Sequence, residues 1–243
     1  MLKKLRRTYS GLMGVIKYEG VKSLCSRGYK YICHSLFFAE DFYVSRGYIQ
    51  SIEEGDESRY LPKIDNYCYR IITTNQEADE LIAEGFKFGA YELNLRTVLD
   101  KEVLAYCIFI DNELAHMICK AVTQRGKKAV DPRPFHVDFE SGSAVAGKAF
   151  TVPKYRQLHL RAYSGFLLRK YNREQGINHG YGTLEVHNYP AIANTAYNPH
   201  ARIMSRCKYL RLLWFKYFKE TPLDSLSYKE VLDNIPEKYK KKS

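Results

Sequence analysis

The chain has 243 residues, 45% of them hydrophobic and 27% charged, with a formal net charge of +11. These proportions exclude a disordered chain and leave enough apolar material for a sizeable core. The positive balance suggests an anionic partner, with nucleic acid, acidic lipid headgroups and a phosphorylated cofactor all open.

Residues 1–34 carry eight Lys/Arg against one acid, Glu19, and read as one or two short helices broken at Gly14, Gly20 and Gly28. Such a basic, aromatic segment either packs on its own domain with a solvated face or touches an anionic membrane surface. Residues 35–50 read as a strand or two, and residues 51–63 as an acidic, glycine- and proline-punctuated loop. From residue 67 the pattern is regular. "YCYRIITT" is a strand, and Thr74 with Glu77 forms a T-x-x-E capping box opening a helix that stops near Gly85. Residues 103–110 and 114–123 read as a hairpin, "QRGKKAVDPRP" as a basic loop, and "FHVDF" with "SAVAGKAFTVP" as another strand pair. A helix is expected over 158–174, with Leu160, Tyr163, Ser164, Leu167, Leu168 and Tyr171 on one stripe. "YGTLEVH" is a strand, "NYPAIANTAYNPH" holds a brief helix after Pro190, and residues 201–220 form a final hairpin. The tail is polar and frayed.

The expected domains are an N-terminal extension at 1–50, a linker at 51–66, a main domain at 67–220 and a basic tail at 221–243. The fold class is mixed α/β, with a mostly antiparallel central sheet, flanking helices and one strand–helix crossover. No apolar run approaches the roughly 18 residues of a membrane helix. The start lacks the apolar middle and cleavage site of a secretory signal. Six cysteines show neither CxxC pairing nor a spacing suited to a metal site, so reduced thiols and a cytoplasmic location are expected.

"VPKYRQLHLRAYSGFLLRKYNREQG" (152–176) places Arg156, His159 and Arg161 at the start of a helix, the end whose macrodipole disfavours cations. A diphosphate over that turn would satisfy the first-turn amides and neutralise these side chains. The alternative is a set of solvated cations.

This strand–turn–helix, followed by "LEVHN" and a Pro/Ala-rich short helix, resembles the GNAT-type N-acetyltransferase superfamily over roughly 67–220. In that family a strand ending V-x-P-x-Y-R leads into an R-x-x-G-x-G/A turn that cradles the pyrophosphate of acetyl-CoA. Two departures stand out: the family glycines fall on His159 and Arg161. The resemblance implies transfer of an acyl group from acetyl-CoA, or another acyl-CoA, to an amine by direct attack. The implied cofactor-binding residues are Phe150, Val152, Arg156, Gln157, Leu158, His159, Leu160, Arg161, Ala162 and Asn188. A strand bulge is implied near Phe150–Val152, leaving a backbone N–H to polarise the thioester carbonyl. Tyr197 is the candidate acid at the leaving thiolate, and His136, Asp138 and Glu140 are candidate bases. Read without the family, the last three are a solvent-facing alternation with Val137 and Phe139 inward, and Tyr197 is one of 21 tyrosines.

The acceptor class implied is a small-molecule or sugar-linked amine, and a homodimer is open. Trp214 reads as a core or dimer contact. Two rival readings are a degenerate binding module without catalysis and a basic nucleic-acid- or membrane-associated protein. No nucleic-acid motif accompanies the charge, which disfavours the nucleic-acid form of the second.

Overall fold

A computed structural model describes residues 13, 16–17, 20–22, 25–26, 36–49 and 56–240. The breaks expected at Gly14 and Gly28, and part of the 51–63 loop, lie outside the described residues. In chain order the strands are β1 (Phe37–Tyr48), β2 (Tyr67–Ile72), β3 (Val103–Ile110), β4 (Glu113–Ala121), β5 (Ser143–Thr151), β6 (His179–Glu185), β7 (Ala201–Leu212) and β8 (Phe215–Pro222). The helices are α1 (Asn75–Ala83), α2 (Glu92–Arg96), α3 (Gln124–Val130), α4 (Leu160–Glu174), α5 (Tyr189–Ala196) and α6 (Ser225–Asp233). The fold is mixed α/β and its strand pairings are mostly antiparallel, as expected. The chain packs as two compact units, one holding 56–132 and 146–171, the other 36–49, 133–145 and 172–240.

In the first unit β2, β3 and β4 are successive antiparallel neighbours, with the later residues of β5 beside β4. The β3–β4 turn is Asp111–Asn112, both left-handed at φ 49° and 61°. Asp and Asn tolerate that conformation better than other non-glycine residues, so a two-residue hairpin loop closes here. β3 is a continuous apolar run because both of its faces are covered. Ala105, Cys107 and Phe109 join a core with Ile72, Leu95, Leu99 and Met117, while Ile108 and Ile110 pack with Leu160 and Tyr163. α1 starts where its capping box predicts. The Thr74 side chain accepts from the Glu77 N–H (3.1 Å), and the Glu77 carboxylate accepts from the Thr73 N–H (2.7 Å). The expected basic loop after β4 is instead helix α3, because Thr123 caps it by accepting from the Gly126 N–H (3.1 Å). Gly126 is required: a Cβ there would lie 2.5 Å from the Glu102 carbonyl oxygen.

In the second unit the order is β5-β6-β1-β7-β8, with β5–β6 parallel and the rest antiparallel. Helix α4 makes the crossover between the two parallel strands. β1 lies between β6 and β7, so residues 37–48 are an integral strand rather than part of an extension. One core holds Phe42, Val44, Phe135, Val137, Val145 and Cys207. A second holds Tyr43, Ile192, Ala193, Ile203, Val231 and Ile235. The Arg133 guanidinium grips Glu40 with two hydrogen bonds and sits 5.0 Å from the centre of the Phe42 ring.

Two further expectations change. "FHVDF" is not a strand: it makes no ladder, although Phe135 and Val137 are buried and His136, Asp138 and Glu140 are exposed. The alternation predicted from the sequence is correct, but it comes from side chains docking in the core rather than from strand pairing. The tail does not fray at 221. Asp224 caps α6 by accepting from the Ser227 N–H (2.8 Å), and Val231 and Ile235 enter the core.

Candidate active site

The turn between β5 and α4 is wholly within the first unit. Pro153 opens a short 3-10 turn, its fixed φ suiting a first helical position where no N–H is needed. Two residues then stand in the left-handed region, Gln157 at φ 67° and His159 at φ 60°. Each non-glycine residue held there costs about 1–2 kcal/mol. The turn is fixed in this shape because Leu158 and Leu160 both pack into the apolar cluster with Ile108, Ile110 and Tyr163. The Leu158 carbonyl also accepts from the Lys63 N–H (3.0 Å). Gln157, His159, Arg161 and Ala162 are left exposed around the start of α4, where the first N–H groups lack intrahelical acceptors. His159 thus holds a left-handed conformation without being glycine.

Among the described residues, Arg156, His159 and Arg161 make no ion pair. Lys154 does: its ammonium bonds Glu113 (2.5 Å), whose carboxylate is held below its usual range chiefly by that contact. Lys154, Glu113 and Val152 also line a cavity of about 380 Å³ with Lys87, Tyr91 and Pro153.

A buried polar chain, which the sequence reading missed, fastens the turn at both ends. His116 of β4 is 1% exposed. Its Nδ1 lies 2.8 Å from Thr151 Oγ1, the last residue of β5, and its Nε2 lies 2.8 Å from Ser164 Oγ in α4. Ser164 Oγ donates in turn to the Arg161 carbonyl (3.1 Å). A hydroxyl has one proton, so this assigns Nε2–H donating to Ser164 and Nδ1 accepting from Thr151. Burial, and then the Arg161 charge, lower the His116 pKa to about 4, so the ring is neutral.

The remaining predicted residues fall as follows. Phe150 stacks on Tyr91, ring centroids 3.8 Å apart. The Val152 N–H donates to the Ala115 carbonyl (2.9 Å) and is not available to a thioester carbonyl. The polarising N–H implied near Phe150–Val152 is therefore not that of Val152, and the left-handed residue of β5 is Lys148, at φ 47°. In the second unit, Asn188, an implied cofactor contact, caps α5 by accepting from the Ala191 N–H (3.3 Å). Tyr197 closes the same helix and lines a cavity of about 520 Å³ with Pro190, Ala193, Asn198 and Tyr239. The Asp138 carboxylate accepts from the Glu140 and Ser141 N–H groups (3.1 and 3.2 Å). Trp214 is neither core nor covered; it is 86% exposed.

No family model and no curated protein matches the chain. Solved structures to which it is similar include a GCN5-related glucosamine N-acetyltransferase region of a fungal multi-domain GH3 β-N-acetylglucosaminidase. That match has 8% identity and a TM-score of 0.41 over 67% of this chain and 20% of the other. Another is an acetyltransferase of the GNAT family from Novosphingobium aromaticivorans, at 16% identity and TM-score 0.39, over 70% of this chain and 63% of that one. A third is a tandem GNAT protein from the clavulanic acid biosynthesis pathway, at 14% identity and TM-score 0.41, over 76% of this chain and 55% of the other. The chain thus spans between a fifth and about two-thirds of these proteins.

Proposed function

We propose that this chain is an acyltransferase that draws its acyl group from a CoA thioester and delivers it to an amine. The observation that carries the reading is the start of α4. There, two left-handed residues, a run of first-turn N–H groups and three side chains that make no ion pair among the described residues, Arg156, His159 and Arg161, follow directly on a strand end. A diphosphate is the group this turn fits: it accepts from the amides and neutralises the cations that the helix dipole alone disfavours. The side chains at 159 and 161 hold the backbone slightly further from a bound anion than glycine would, and supply side-chain donors in exchange.

When bound, the thioester supplies the activated acyl carbon; the chain supplies position and proton handling. The Thr151–His116–Ser164 chain keeps the end of β5 and the first turns of α4 in fixed register. The resemblance assigns proton donation at the departing thiolate to Tyr197 and the base to Glu140 or Asp138, and these roles are taken from it. His136 stays a candidate on exposure alone.

The test is calorimetric titration with acetyl-CoA of the wild type and of Arg156→Ala with Arg161→Ala. Micromolar binding that weakens at least 100-fold in the double variant is the expected result, since two charge-assisted phosphate contacts contribute about 1.5–3 kcal/mol each. No binding of acetyl-CoA or longer acyl-CoAs by the wild type would sink the proposal and favour a binding module without catalysis.

A further inference from the structure

We propose that the end of the β7–β8 hairpin docks on an anionic lipid surface. The hairpin turns through a two-residue loop, Leu213–Trp214. Such loops favour Asn-Gly or Gly-containing pairs, because the turn requires a left-handed residue. Here Leu213 takes that conformation, at φ 54°, and the bulkiest side chain of the protein follows it. Trp214 is 86% exposed, Phe215 54%, Leu212 50% and Leu213 47%. Leu36 and Phe37 at the start of β1, 51% and 55% exposed, adjoin them. The Leu213 N–H donates to the Leu36 carbonyl (2.7 Å), and Phe37 pairs with Leu212. Six large apolar side chains therefore share one end of the second unit, at a position where hairpin chemistry alone selects small polar residues.

Charge selects the occupant. Immediately behind the apolar end, the register sets Arg211 opposite Lys216 and Lys208 opposite Lys219. The two pairs are three residues apart along β7, so they face opposite sides of the ribbon, giving an apolar tip with cations on both sides. A second copy would bring the same cations against these. Nucleic acid would answer the cations and leave the Leu, Phe and Trp side chains in water. An anionic bilayer answers both: Trp sits at the headgroup level, Leu and Phe sit below it, and Lys and Arg meet the lipid phosphates.

Trp214 is the only tryptophan in the chain, so its fluorescence reports on this tip alone. The protein is mixed with vesicles of phosphatidylcholine, with and without phosphatidylglycerol, then sedimented and followed by emission and by quenching from brominated acyl chains. The expected result is co-sedimentation with the anionic vesicles that weakens with salt, a blue shift and bromine quenching. Lys216→Ala and Lys219→Ala should each weaken partitioning about five-fold. Leu213→Asn removes apolar surface at a conformation Asn accepts, so it should keep or raise the melting temperature while weakening partitioning ten-fold or more. The proposal is overturned by a failure to bind anionic vesicles, or by a concentration-dependent blue shift without lipid, which would mean a second copy. Vesicle binding without quenching of Trp214 would likewise overturn it and place the contact on residues 1–34.

Discussion

Because His116 is buried and neutral, acidification should unfasten the β5–α4 turn, and the size of the effect can be worked from its pKa. Folding lowers that pKa from 6.5 to about 4, which corresponds to roughly 3.4 kcal/mol between the two protonation states. Between those values the unfolded chain holds a proton on this ring and the folded chain does not. The unfolded state therefore gains as pH falls, and stability is lost from about pH 6.5 down to about pH 4. From pH 7.5 to pH 5 the loss from this one residue is about 2 kcal/mol. Other groups titrate over the same range, so the measurement is a difference. Urea denaturation of the wild type and of His116→Gln is followed by far-UV circular dichroism at both pH values. Gln can still bond Thr151 and Ser164 but takes no proton. The wild type's stability relative to the variant should fall by about 2 kcal/mol on acidification. A relative stability constant to within about 0.5 kcal/mol would refute the claim that burial holds this ring neutral.

Lys120, 1% exposed on β4 with its ammonium unbonded and 4.2 Å from the centre of the Tyr171 ring, has its pKa pushed down by burial to about 7. Stability should therefore decline as pH falls from about 10.5 towards 7, and Lys120→Met should raise stability at pH 7 by a few kcal/mol and flatten that decline; equal pH profiles would contradict it. His159→Gly removes a left-handed penalty of about 1–2 kcal/mol and adds a glycine entropy cost of about 0.5–1, so a melting-temperature rise of about 2 °C is expected. A fall in melting temperature would mean that the His159 side chain, rather than its backbone conformation, holds the turn.

What could be read in advance was what short-range chemistry decides. The Thr74–Glu77 capping box, the apolar β3–β4 hairpin and the stripe beginning at Leu160 each involve residues within a turn or two of one another, and each stands where expected. What could not be read depends on distant partners. His116 looks like any strand residue until Thr151 and Ser164, 35 and 48 positions away, meet its two nitrogens. The Val152 N–H could be assigned to a ligand only while its acceptor on Ala115 was unknown. "FHVDF" alternates correctly but finds no strand neighbour, and alternation alone cannot report pairing. α3 and α6 had visible caps in Thr123 and Asp224; their basic or polar faces made them look like loops. At the candidate site itself, the cations were legible as misplaced charge, whereas the left-handed backbone at His159 was hidden by a residue type that seldom adopts it.

The place of β1 in its unit also sets a schedule for synthesis. The strand is made early, yet its neighbours come from β6 and β7, and Asp41 meets Arg206 only 165 positions later. At roughly 5–20 residues per second, the nascent chain carries "FFAEDFYV" without strand partners for on the order of ten seconds or more. That segment is aromatic and aggregation-prone but for two carboxylates at its centre, Glu40 and Asp41, which keep it solvated. Each charge is then taken up by an arginine that arrives afterwards: Arg133, 93 positions on, for Glu40, and Arg206 for Asp41. The same two acids thus protect the strand while it waits and fasten it once its partners have been made.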